Sequence, residues 1–419
     1  MLKKTCLLVL FASFLLNCNN DDDFVAACET VTNVTSTVIT NNSAIITWDT
    51  SSVSALYTLE YGVTGFTIGS GTTQSETDTN AVLSGLEPAT TYDVYIQTIC
   101  TATNVSMYSE VFTFTTDAPF VVPEFLPTLS ELNLYGGESL DVLRPTTYGF
   151  QYELSTALFT DYAHKQRFMV LPQGEKLTYD GDGLPLFPDN SVIVKTFFYN
   201  NDERDLSLGR KIIETRVLIK INGSWETGDY KWNDEQTEAF LDPNGSIVPV
   251  TYIDADGDTN NVNYQIPSDT DCFTCHRIGD DKTPIGPKMR TLNFNVSGLN
   301  QLQSLINSDL IDGLTDPSSV SVLPKWDDDV NYTLEERARA YFDVNCAHCH
   351  IEGGLCEVQS TLRLDYERPF ADSNIQSRRN SIINRISTYN QGFSMPLNGT
   401  TMVHDEGLAL ILEYLDTIE

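Results

Sequence analysis

The sequence predicts a multidomain protein with an all-β sandwich, a second β-rich domain and a mainly α-helical C-terminal region. Three observations predict this. At 419 residues the chain is too long for one hydrophobic core. Up to about residue 268 its apolar residues come in short runs rich in Val, Ile, Thr, Tyr and Phe, broken by Gly, Asn, Asp and Pro, as strands and turns are. From about Leu299 the apolar positions recur at helical spacing instead.

Residues 1–17, "MLKKTCLLVLFASFLLN", carry Lys3 and Lys4 before an apolar run too short to span a bilayer as a mature helix. This is the form of an export signal. The "LLNC" at its end resembles a lipoprotein cleavage box, which implies that Cys18 becomes a lipidated N-terminus. A simple secretory signal with an incidental Cys18 is the alternative. Residues 18–27 read as an acidic tether, and "NNDDD" is similar to the export tag of surface lipoproteins. The resemblance implies an outer-membrane lipoprotein exposed at the cell surface, with a periplasm-facing one as the alternative. Later apolar runs are too short for a transmembrane helix, so lipid is the expected membrane anchor. A formal net charge of −33 argues against nucleic acid as a partner and against direct adhesion to anionic lipid. It suits either a solubilising face or docking to redox partner proteins that carry basic patches.

Residues 28–117 supply the sandwich, with "SAIITWDT", "ALYTLEYG", "TYDVYIQT" and "VFTFTT" as strands. Trp48 and the segment "LSGLEPATTYDVYI" resemble a fibronectin type III domain, in which Tyr92 matches the tyrosine corner. Cys28 and Cys100 stand at its two ends. In an oxidising compartment they are expected to form a disulfide, free thiols being the alternative.

A Pro-rich linker follows at 118–129, then the β-rich domain at 130–268, whose "QRFMVLP", "SVIVKTFFY" and "KIIETRVLIKING" read as strands. Its "DADGDTNN" superficially suggests a calcium loop. Counting Asp254 as the first position, Gly257 falls at the fourth rather than the sixth, so a hairpin turn is expected.

The chemistry lies further on. "CFTCH" at Cys272, Cys275 and His276 belongs to a segment spanning 269–331, and "CAHCH" at Cys346, Cys349 and His350 to one spanning 332–419. With 9 Cys and 5 His in the chain, shuffling would yield on the order of 0.002 copies of C-x-x-C-H. A tetrahedral zinc site gives adjacent Cys349 and His350 no easy joint role, and a disulfide leaves each His unexplained. Covalent haem explains all three residues: two thiols take the two vinyl groups and the His stands under the iron. Two haem c groups are therefore the expected cofactors.

Around the second motif the chain offers a helix from Thr333 into CAHCH, a Gly-Gly loop, "GFSMPLNG" and a closing helix. This resembles a class I cytochrome c domain, and the resemblance implies Met395, before Pro396, as sixth iron ligand, the alternative being a core Met. The first motif has no equally clear partner. Met289, His164 and Met169 are candidates, and an open iron is the remaining possibility. His404 is expected at the surface, His348 in solvent, and Cys356 as a buried small residue rather than a redox switch.

From about residue 130 onward, "LFTDYAHKQRF", "GRKIIETRVLIKINGSW", "YKWNDEQTEAFL", "YQIPSDTDCFTCH" and "TLNFN", followed by CAHCH, are similar to a family of exported dihaem c-type cytochromes. The resemblance implies two covalently bound haems and electron transfer in the cell envelope, and an electron carrier is expected ahead of a substrate-converting enzyme. The alternative is a peroxidase-like dihaem oxidoreductase with an open first haem fed by the second. A third reading makes the β-sandwich an adhesin and the haems structural.

Overall fold

The computed structural model describes residues 28–51, 56–118, 124–137 and 139–418. The expected export signal, Cys18 and the acidic tether lie outside them. The chain parts at Thr116 into two compact units.

The first unit is a sandwich of eight strands: β1 (Thr32–Ile39), β2 (Ser43–Asp49), β3 (Leu56–Val63), β4 (Thr72–Glu76), β5 (Asn80–Ser84), β6 (Thr91–Thr101), β7 (Asn104–Tyr108) and β8 (Phe112–Thr115). One sheet runs β1-β2-β5 and the other β4-β3-β6-β7, with β8 also on β6. Alternation builds the core: Ala44, Ile46 and Trp48 of β2 point inward and pack with Leu83, Leu59, Val94 and Ile96. The Tyr92 hydroxyl accepts from the Glu87 N–H at 2.9 Å, tying the corner as expected. Cys28 and Cys100 are joined as a disulfide.

The second unit is organised on a six-stranded sheet. Its strands are β9 (Gly149–Gln151), β10 (His164–Val170), β12 (Val192–Asn200), β13 (Arg210–Ile221), β14 (Ser224–Trp232) and β15 (Ala239–Leu241), in the order β15-β14-β13-β12-β10-β9. The short β11 (Leu177–Thr178) pairs in parallel with Ile311–Asp312 instead. One face of the sheet is apolar, with Phe168, Val170, Val194, Val217 and Tyr230 in a shared core. The other face is mixed: Met169, Ile193 and Leu218 join a second core, while Arg167, Lys195 and Arg216 run beside them. Strands covered on both faces read as near-continuous apolar runs, which is why "SVIVKTFFY" is legible as a strand. A hairpin of β16 (Ser246–Ile253) and β17 (Thr259–Ile266) follows. Its turn is held by the Asp254 carboxylate, which accepts from the N–H of Asp256 and Asp258 and from the Asn260 amide, leaving a turn and not a calcium loop.

The remainder is helical only in part. The helices are α1 (Asp269–Cys275), α2 (Met289–Leu292), α3 (Gln301–Asn307), α4 (Leu334–Asn345), α5 (Phe370–Ser373), α6 (Ile375–Ile386) and α7 (Asp405–Thr417). The last four, of 12, 4, 12 and 13 residues, make up less than half of residues 332–419. The expectation of a mainly helical C-terminal region is met only in part, because long loops at 346–369 and 387–404 stand between these helices. Thr333 and Glu336 close a capping box on α4. Phe342, Ile382, Leu410, Ile411 and Tyr414 pack α4, α6 and α7 into one core. Gly407 lets α7 approach the Tyr341 ring of α4, where a Cβ would collide with it. Among the described residues no helix is long and apolar enough to cross a membrane.

Candidate functional site

The first motif closes a short helix. Ser268 caps α1 through a reciprocal box with Asp271, Cys272 and Cys275 lie along it, and His276 ends it with its N–H on the Cys272 carbonyl at 2.9 Å. His276 Nδ1 lies 2.9 Å from the Thr283 carbonyl oxygen. A proton on Nδ1 makes that bond and leaves the Nε2 lone pair for a metal. Burial, with the Lys195 charge nearby, pushes the imidazole down to about 3, so it is neutral in ordinary conditions, as a ligand must be. The Cys272 thiol stands 3.7 Å from Asp229 Oδ2, and burial first, then that carboxyl, raises it.

The second motif follows α4. Cys346 is the helix C-cap, and the His350 N–H returns to the Cys346 carbonyl at 3.0 Å. Burial holds His350 down to about 4, and its Nδ1 is buried without a hydrogen-bond partner. A cavity of about 300 Å³ adjoins it, lined by Cys346, Cys349, His350 and Met395 and walled by Phe342, Leu362, Leu364, Ile382 and Ile386. The Met395 loop is pinned by its N–H on the Arg385 carbonyl at 2.9 Å. The cavity also takes in Cys275, His348 and Cys356, and among its donors the two thiols and imidazole of the second motif with the Met395 thioether are the set that a covalent haem needs. These residues fit the group.

The fold brings the two motifs together. Cys275 of the first and His348 and Cys349 of the second present ligand atoms within 4.8 Å of one another. The Cys356 N–H donates to the Cys349 carbonyl at 3.0 Å, and its thiol joins the cluster. Hydrogen bonding from Cys349, with His348 adding to it, draws the Cys275 thiol down to about 4. The expectation of a solvent-facing His348 is corrected: its Nδ1 is buried and it lines the cavity beside Cys275. Three thiols and an imidazole also form a donor set that zinc accepts, so the same sulfurs have a rival use when they are not in thioether bonds.

Around His276 the structure departs from the sequence reading. Two small cavities, of about 50 and 60 Å³, share His276, Lys195, Leu158, Leu218 and Ile285. A porphyrin there would have to displace side chains that part the two. Met289 lines neither; it is fully buried with Leu292, Leu302 and Leu305 in the apolar core. Met169 is buried in the same core. His164 points outward, 43% exposed, to Glu203 at 2.7 Å. All three candidate distal ligands are thus placed elsewhere, since strand alternation turns His164 out and Lys165 in.

What faces His276 instead was missed in the sequence. Lys165, Arg167 and Lys195 line the first of these cavities and Arg216 the second. Burial and the charges of Arg216 and Arg167 push Lys195 down to about 7. Arg216 is held at 2.6 Å by Glu214, which also accepts from the Tyr264 hydroxyl at 2.5 Å. The available signal was a Lys or Arg inside otherwise apolar strands, where an unpaired charge is costly. His404 also differs from expectation. It stacks on Phe159 with ring centroids 4.2 Å apart and takes part in a 2.9 Å hydrogen bond with the Tyr341 hydroxyl.

Against this geometry stand the comparisons with known proteins. The sequence model of the Fibronectin type III domain matches residues 29–115. The N-terminal unit is fibronectin type III-like. Among solved structures, the chain is similar to one described as a myokine structure, at 25% identity over 22% of this chain and 98% of that one, with a TM-score of 0.20. It is similar at 27% identity to a computer-redesigned β-sandwich protein, over 22% of this chain and 96% of that one, with a TM-score of 0.19. A fibronectin type III domain of human contactin 1 shares 18% identity over 21% of this chain and 77% of its own, with a TM-score of 0.20. No curated protein matches the chain. The fibronectin type III-like domain thus accounts for the sandwich, and the cysteine motifs lie in the other unit.

Proposed function

We propose that the protein is a dihaem c-type cytochrome of the cell envelope, anchored by lipid at Cys18, that carries single electrons between redox partner proteins. The observation that carries this reading is the meeting of two C-x-x-C-H motifs 74 residues apart in sequence. Their thiols Cys275 and Cys349 belong to one cluster within 4.8 Å, while each motif's His lines its own cavity. Haem c bound at both motifs supplies one-electron iron chemistry. The chain's own part is to hold and tune it. Cys272 with Cys275, and Cys346 with Cys349, provide the thioether sulfurs; His276 and His350 offer neutral imidazoles; Met395 offers a thioether, a ligand that raises a reduction potential. Cys275 and Cys349 would hold the two haems from neighbouring sulfurs, and Leu362, Leu364 and Ile382 would give the second one an apolar wall. The fibronectin type III-like unit then spaces or presents the redox unit.

A second reading has one observation in its favour. Among the residues lining the cavities at His276 there is no thioether, and the only other imidazole is His348, which belongs to the neighbouring motif. An open first iron would make the protein an oxidoreductase for a small substrate such as peroxide, with the Met395 site as electron relay.

The test is the protein produced with a c-haem maturation system. Two covalently bound haems per chain are expected from the alkaline pyridine spectrum of the denatured protein. A chain that carries no covalent haem, and zinc on its cysteines instead, overturns the proposal. Adding carbon monoxide to the reduced protein then separates the two readings. An unchanged spectrum belongs to a carrier, and one haem binding the gas belongs to the oxidoreductase.

A further inference from the structure

The loops that follow the two C-x-x-C-H motifs are tied to each other by backbone. The Gly279 N–H, in the turn after His276, donates to the Gly353 carbonyl at 2.8 Å, and Gly353 holds a φ of +78°, where a residue with a Cβ is strained. Beside it Gly354 passes so close to the second motif that a Cβ would stand 2.7 Å from the Cys349 carbonyl oxygen. This Gly-Gly loop folds Cys356 back over the motif, and the Cys356 N–H reaches the Cys349 carbonyl at 3.0 Å. None of these contacts uses a sulfur, so the meeting of the motifs is a property of the backbone.

The meeting gathers four donors. Sγ of Cys275, a ring nitrogen of His348 and Sγ of Cys349 lie within 4.8 Å of one another, all half-buried. The Cys356 thiol is in hydrogen-bonding reach of Cys349. Adjacent His348 and Cys349 both face Cys275 because the turn after α4, closed by the Cys349 N–H on the Cys346 carbonyl at 3.2 Å, presents them together. Zinc holding sulfur at about 2.3 Å in a tetrahedron sets its donors about 3.8 Å apart, so side-chain shifts of about 1 Å close the site. A second observation points the same way. His348 Nδ1 is buried and has no hydrogen-bond partner, and a bond from it to a metal held by the neighbouring thiols removes the cost of leaving it unsatisfied.

We infer that the haem-free chain holds one Zn2+ at Cys275, His348, Cys349 and Cys356. Three cysteines and one histidine are a structural zinc donor set, and the partial burial leaves an entry path. Binding displaces three thiol protons to solvent and moves no electrons. The site takes the second cysteine of each motif and neither His276 nor His350, and it employs His348 and Cys356, for which the proposed function has no use. Zinc and haem therefore exclude each other, since Cys275 and Cys349 cannot be thiolates and thioethers at once. The inference does not rest on the haem reading.

The experiment uses the full-length chain produced without haem maturation, reduced, stripped of metal and titrated with Co2+ and then Zn2+. One Co2+ per chain is expected, with thiolate-to-metal charge-transfer absorption and the visible bands of a tetrahedral site, and Zn2+ is expected to displace it. X-ray absorption of the wild-type zinc form, which needs no variant, is expected to find three sulfurs and one nitrogen. Cys356→Ser and His348→Ala are each expected to weaken Zn2+ binding by at least about 100-fold. A chain that takes up no stoichiometric cobalt, or a zinc shell without nitrogen, overturns the inference. So does loss of the metal in Cys346→Ser with its retention in Cys275→Ser, which places the metal inside one motif. The matured protein, with two haems counted after denaturation, is expected to take up no Co2+. Two haems there and no metal site on the haem-free chain defeat the zinc site alone. No haem there and one zinc per chain defeat the haem reading alone.

Discussion

Met395 shares its cavity with His350, and the Arg385 carbonyl pins its loop, so the thioether is held in place without ordering of the chain on ligation. Under the proposed function, Met395→Ala leaves both haems attached, opens one iron to carbon monoxide and lowers one potential, read by a spectroelectrochemical titration. A variant whose spectrum and potentials match the wild type would place Met395 in the packing alone. Asp343 serves a different purpose. It is wholly buried on α4, takes Lys288 at 3.0 Å and Arg290 at 2.9 Å, and accepts the Tyr366 N–H at 3.1 Å. Burial works to raise its carboxyl, and the Lys288 and Arg290 charges outweigh it, so the net shift is downward. Lys288 is itself lowered by burial, which leaves Arg290, 5% exposed, as the firmer partner. A folded-state pKa below the unfolded one stabilises at neutral pH, and the stabilisation is lost as pH falls below about 4 through the folded value. Asp343→Asn is expected to cost ~3–5 kcal/mol at pH 7, since it takes from Lys288 its carboxylate and leaves buried Arg290 with Glu367 alone, and to flatten the acid limb of stability. Urea unfolding at pH 7 and pH 3, followed by circular dichroism, checks both.

At the scale of elements, helix packing and sheet pairing do separate work. The α4–α7 contact depends on Gly407, because any larger residue meets the Tyr341 ring. Gly407→Leu should destabilise the second unit by ~1–3 kcal/mol through overpacking, and a thermal melt of this variant that matches the wild type would show that the two helices separate freely. The amphipathic spacing of α4 and α7 and the start of α4 at Thr333 were legible in the sequence, as were the strands β2, β3, β6, β10, β12 and β13. The placing of His164 was not. One residue decides whether a side chain faces out or in, and the pattern around it, His164, Lys165, Gln166, Arg167, is polar throughout, so alternation gives no phase until the pairing with Lys195 and Phe197 is known.

For the whole molecule, a net charge of −33 sets the long-range field through which any partner arrives. If basic redox proteins are the partners, electron exchange with a cationic acceptor protein should slow as salt rises from about 0.01 to 0.15 M, where the screening length falls from about 30 to 8 Å. A stopped-flow rate that does not change with salt would assign the charge to solubility alone.

Two C-x-x-C-H motifs, the all-β rhythm of residues 28–117 and Tyr92 were determined by the sequence itself, since each rests on local spacing or on a motif whose chemistry does not depend on distant residues; the sequence also offered Cys28 and Cys100 as a pair, which the fold closes across 72 residues. Tertiary structure alone decided that Cys275 meets Cys349, that Met289 is core, and that Lys165 and Lys195 stand by His276. The reason is geometric: these neighbours are separated by 74 or more residues, except for Met289, or set by strand register, and no local period in a sequence records which distant face folds over a given side chain.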